Sequence, residues 1–175
     1  IVLGRNAFGA ATIGIRNVAI GQLAMSGVTT GHANDNIAIG VSALVGTSAT
    51  SGDQNIAIGS NAADALTTGN HNIAMGLDAL GTNTTGDHNI AIGISALKTS
   101  GASGISFNIA IGCLAMGNAA STSDHNIAIG RGVLKQILAG SCNVALGQHT
   151  ADAMTTGANN IALGLNALGA STDGV

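Results

Sequence analysis

At 175 residues the chain could fold as one ordinary domain, yet 27 glycines, no Pro, Trp or Tyr, and Phe8 and Phe107 as its two aromatic residues argue against an interior filled by bulky rings. Charged side chains make up 7% of the chain, against roughly 25% in ordinary soluble domains, and the net charge of −3 leaves no basic footprint for nucleic acid. Its apolar residues come in runs of a few, far short of a membrane span, so neither nucleic-acid binding nor membrane insertion is expected.

In chain order, Ile1-Val2-Leu3-Gly4 is followed by Asn17-Val18-Ala19-Ile20-Gly21, and the same phrase begins again at Asn36, Asn55, Asn72, Asn89, Asn108, Asn126, Asn143 and Asn160. The copies lie 17 to 19 residues apart, so residues 1–175 read as a single array of ten short coils with no gap for a second domain. Because the chain opens inside a repeat, it reads as an excerpt of a longer fibre polypeptide. Each phrase predicts a short strand. The Ala-plus-apolar pair that follows, as in Ala24-Met25, Ala43-Leu44, Ala79-Leu80 and Ala96-Leu97, predicts a second strand. Turn chemistry fills the remainder, as in Thr67-Thr68-Gly69, Thr84-Thr85-Gly86 and Thr155-Thr156-Gly157, and the length changes fall there.

A coil this short cannot bury an apolar face alone, so successive coils must stack, each strand pairing in parallel with its equivalent in the next. The expected class is all-β, a parallel β-solenoid or β-roll. At about 4.8 Å per coil it forms a rod on the order of 45 Å long. Within Ile37-Ala38-Ile39 the isoleucines share one face and the alanine takes the other. The bulky face is expected to fill the coil core. The alanine face, which recurs unchanged from Ala19 to Ala162, is expected to meet another chain. Chains side by side about a rod axis give a homo-oligomer, with three chains as the favoured number.

The succession Asn-Ile-Ala-Ile-Gly, Ala-Leu and Thr-Thr-Gly, repeated over the whole chain, resembles the head repeats of trimeric autotransporter adhesins and the related repeats of bacteriophage tail fibres. The resemblance implies a homotrimeric, non-catalytic fibre that presents an attachment surface. Its implied setting is a virion tail fibre or an extracellular bacterial surface, with other fibre or tail proteins and a host-cell glycan or protein receptor as partners. The extra Thr-Thr-Gly loop favours the phage fibre. The matching positions are architectural, so no receptor-binding, catalytic, cofactor or metal residues carry over.

The asparagine column reads as a ladder of amides bonded from coil to coil. Gly21, Gly40, Gly59, Gly76 and Gly93 open no helix and lack the Gly-Lys-Ser/Thr ending of a phosphate loop. His71, His88 and His125 each precede a phrase asparagine, where other coils carry Gln54, Cys142 or Asn159. Repeated about a three-fold axis they could hold a metal, but polar neighbours favour a solvated turn. Asp53 and Asp87, roughly 10 Å apart at solenoid spacing, loosely imitate the carboxylate pair of a polysaccharide-cleaving tailspike, without sugar-stacking aromatics. The thin spread of carboxylates argues against an enzyme. Ice binding by threonine columns is the alternative, but consecutive threonines point to opposite faces of a strand. Receptor recognition is expected in the irregular loops from Gly46 to Gln54 and from Lys98 to Ser106. Cys113 and Cys142 fall at different points of the repeat, leaving a disulfide open.

Overall fold

The structure, a computed structural model, describes residues 1–9, 14–27, 32–46, 51–98, 104–119 and 122–174. Ten strands run in chain order: β1 (Val2–Leu3), β2 (Val18–Ile20), β3 (Ile37–Ile39), β4 (Ile56–Ile58), β5 (Ile73–Met75), β6 (Ile90–Ile92), β7 (Ile109–Ile111), β8 (Ile127–Ile129), β9 (Val144–Leu146) and β10 (Ile161–Leu163). They form one ten-stranded parallel sheet in the order β1 to β10, each pairing with its neighbours in sequence, as a solenoid requires. From β2 to β10 alanine lies on alanine, as in Ala38 on Ala57 and Ala91 on Ala110, and β1 sets Val2 on Ala19.

The faces of these strands are the reverse of the sequence expectation. Every strand alanine from Ala19 to Ala145 is sealed inside its own coil, while the flanking Ile, Val, Leu and Met positions lie outside and stay partly exposed. The isoleucine columns therefore do not fill the core, and the alanine column cannot be a chain–chain seam. Bulk comes instead from the opposite wall, where Met25, Leu44, Leu66, Leu80, Leu97, Ile105, Met116, Leu134, Ile137 and Met154 are fully buried. In so thin a coil, large side chains projecting from one wall leave space for only a methyl group on the other.

The second predicted strand is also corrected. The Ala-plus-apolar phrase is a succession of tight turns: the N–H of Ala115 donates to the Gly112 carbonyl (3.2 Å), and that of Gly117 to the Leu114 carbonyl (3.1 Å). The third residue of each, Leu114 and Met116, has φ of 58° and 48°, the left-handed geometry of a type II turn. Neighbouring coils still cross-link this wall, as where the Leu97 N–H donates to the Ala115 carbonyl (2.9 Å). Chirality makes such residues costly, about 1–2 kcal/mol each. The turns persist because the second of each pair buries its apolar third residue, as at Leu97 and Met116, and both bond to neighbouring coils, as from Leu114 N–H to the Ile94 carbonyl (3.0 Å) and from Met116 N–H to the Val133 carbonyl (2.9 Å).

The glycine after each strand is required by close approach. A Cβ on Gly93, which has φ of +130°, would stand 2.7 Å from the backbone of Gly112 in the next coil. That steric seat, and no phosphate chemistry, accounts for the glycine column.

Candidate functional site

Two ladders of side-chain hydrogen bonds lead up to the strands and fix what the surface presents. In the first, each asparagine is buried, and its Oδ1 accepts the N–H of the next asparagine along the chain: Asn55 from Asn72 (2.9 Å), Asn72 from Asn89 (3.0 Å), Asn126 from Asn143 (3.0 Å). The Nδ2 donates to a carbonyl in the adjoining coil, as from Asn72 to Gly86 (2.8 Å) and from Asn143 to Gly157 (2.8 Å). No buried side-chain nitrogen or oxygen among the described residues is left without a partner.

The second ladder, which the sequence reading missed, lies two residues earlier and runs in the opposite sense. The N–H of Asn34 donates to Asp53 Oδ1 (2.7 Å), that of Asp53 to Asn70 Oδ1 (2.8 Å), and that of Asn70 to Asp87 Oδ1 (2.6 Å). It continues from Asp87 to Ser106 Oγ (3.0 Å), from Ser106 to Asp124 Oδ1 (2.7 Å) and from Asp124 to Ser141 Oγ (3.2 Å). Asp53 and Asp87 are thus alternate acceptors of one ladder, with Asn70 Oδ1 accepting between them. The visible signal is an Asp, Asn or Ser two positions before the phrase asparagine in seven copies, from Asn34 to Ser141, a pattern that in sequence also suits turns.

Between the two ladders stands an outward column in left-handed conformation: Arg16, Asp35, Gln54, His71, His88, Phe107, His125, Cys142 and Asn159 all have φ between 58° and 61°. Four consecutive rings stack along it. His71 and His88 have centroids 4.7 Å apart and are tilted by 33°. His88, Phe107 and His125 are spaced 4.9 Å apart and lie within 14° of parallel. His71 and His88 are therefore brought together, and His125 is separated from them by Phe107, whose place in this column the sequence reading overlooked. All four rings are exposed. His88 and Phe107 have both faces in the stack and offer only their edges to solvent. At the other end of the column, Arg16 grips Asp35 through Nε–Oδ1 (2.5 Å) and Nη2–Oδ2 (2.8 Å). The bridge raises the arginine pKa and lowers that of the carboxylate.

Beside the ring column runs the outer face of the sheet. Its two strand columns include Leu3, Met75, Ile129 and Leu163, which are 66, 37, 39 and 62% exposed. A third column, just past the glycines, adds Val41, Leu77, Ile94 and Leu165, all more exposed than Met75. Cys113 occupies the same column and Cys142 the ring column; both are exposed free thiols. On the turn wall, Lys98 Nζ pairs with Asp78 Oδ2 (2.9 Å), and Asp78 Oδ1 also accepts from Asn61 Nδ2 (3.2 Å). Partial burial, and then the charge of Asp78, raise the pKa of Asp64 nearby. His149 Nδ1 lies 3.3 Å from Asp152 Oδ2.

No three or more His, Cys, Asp or Glu side chains among the described residues gather into a metal-binding group. Of the expected recognition loops, residues 47–50 and 99–103 lie outside the described residues. No protein-family model, curated protein or solved structure matches this chain.

Proposed function

We propose that this chain is a structural and attachment segment of a homotrimeric fibre, as in a bacteriophage tail fibre or a bacterial surface adhesin. The observation that carries this reading is the outer face of the sheet: isoleucine, valine, leucine and methionine occupy both outward positions of every strand from β2 to β10, and Val41, Leu77, Ile94 and Leu165 add to them from the mixed column just past the glycines. A monomer rarely exposes an apolar surface continuous along its whole length, whereas side-by-side copies would cover it. The seam is thus assigned to the isoleucine columns, with the alanines inside each chain. Three copies about the rod axis would bring the same columns together, and the resemblance to adhesin heads and tail fibres supplies the number. A host-cell glycan or protein would then be met on the outside of the trimer, at the loops that vary between coils, with other fibre or tail proteins joined along the axis.

The other readings draw less support. The Thr67 hydroxyl donates to the Thr84 carbonyl (2.8 Å) and the Thr155 hydroxyl to the Thr172 carbonyl (3.0 Å), so these threonines serve coil stacking before they could order ice. Asp53 and Asp87 each accept a backbone N–H and act as ladder rungs, which favours a structural role over glycan cleavage.

The test is the mass in solution by light scattering, with and without any natural flanking trimerisation region. A mass of three chains is expected. A monodisperse, folded single chain would overturn the fibre reading and make thermal hysteresis the next measurement.

A further inference from the structure

The ring column contains one place where two metal-ligating side chains meet. His71 and His88 sit on adjacent coils in the same left-handed conformation, with ring centroids 4.7 Å apart. Their backbones are pinned: the His71 N–H donates to the Asp53 carbonyl (3.1 Å) and the His88 N–H to the Asn70 carbonyl (3.0 Å). Both imidazoles are exposed and have no hydrogen bond or ion pair to another described residue, so their nitrogens are open to a ligand. Metal–nitrogen bonds of about 2.0–2.1 Å place the ring centres of two neighbouring imidazole ligands about 4.5–5.2 Å apart, which brackets the observed separation. The 33° tilt of this pair opens it at one edge, whereas His88 and His125 are separated by Phe107, which has no ligand atom.

We propose that His71 and His88 form a chelating site for a late first-row divalent ion such as Ni²⁺, Cu²⁺ or Zn²⁺, the cations that imidazole favours. Small rotations of the two exposed rings turn one nitrogen of each towards a shared ion, and water completes the coordination. Bound there, the ion clips two consecutive coils together. The site lies within one chain, so its stoichiometry is one ion per chain whether or not the chains assemble.

Calorimetric titration of Ni²⁺ into the Cys113→Ser, Cys142→Ser protein tests this with the thiols removed. His71→Asn and His88→Asn suit the left-handed backbone and should leave the circular dichroism unchanged. Each should weaken Ni²⁺ binding at least about tenfold, because the second ligand no longer acts at high effective concentration. His125→Asn should bind as the parent does. Absence of binding by the parent, retention of parental affinity in either His71→Asn or His88→Asn, or an equal loss in His125→Asn would overturn the proposal.

Discussion

The two sides of the same three-residue strands make opposite use of apolar side chains. On the inner side, Ala19 to Ala145 form an unbroken column of methyl groups with at most 1% exposure. On the outer side, larger residues such as Met75 and Ile129 stay partly open. Side-chain size is therefore no guide to which face of a strand is the interior. What decides is the wall opposite, and here the leucines and methionines of the turn wall already fill the coil.

Substitutions that exploit this contrast differ widely in expected effect. Ala91→Glu is the most damaging, since it places an unpaired charge inside a sealed coil. A cost of more than about 3–5 kcal/mol is expected, read as loss of the cooperative thermal transition. Asn89→Ala comes next, because Asn89 Oδ1 accepts from Asn108 N–H (3.1 Å) and its Nδ2 donates to the Ile105 carbonyl (2.7 Å). Stranding those buried groups should cost about 2–5 kcal/mol in denaturant unfolding. On the outside, Gln54→Val forces a β-branched residue to a φ of 59° and should cost about 1–2 kcal/mol by the same measurement. The smallest effect belongs to Asp64, whose pKa burial and Asp78 raise. Above that raised pKa the carboxylate is worse placed folded than unfolded, and protonation on acidification removes the penalty. Asp64→Asn should therefore stabilise the protein at neutral pH by under about 1 kcal/mol, the difference from the parent closing as pH falls through the raised pKa.

The coil count, the parallel register and the asparagine ladder were all legible in the sequence, because a phrase repeated every 17 to 19 residues leaves few ways to stack. The facing of the strands was not. Alternation separates Ile37 and Ile39 from Ala38 but does not say which side is closed, and the buried bulk at Leu66, Ile105 and Ile137 lies in stretches too variable to align by eye. The turn wall was hidden for a different reason. Leu80 and Leu97 are unexpected residues at φ of 55° and 51°, so their Ala-Leu phrases look like strands until stacking contacts override local preference. Of the surface, the histidine positions were legible, whereas the ring stack depended on placing Phe107 in their column.

The central claim is that one strand seals a coil on one side and meets another chain on the other, and Ile129→Glu tests it most directly. Ile129 is 39% exposed, so a glutamate there can reach solvent in a single chain but not inside a seam. Light scattering combined with circular dichroism should show the parent at three chains and Ile129→Glu at a lower mass with its β spectrum intact. An Ile129→Glu protein that keeps the parent's mass and melting would contradict the claim.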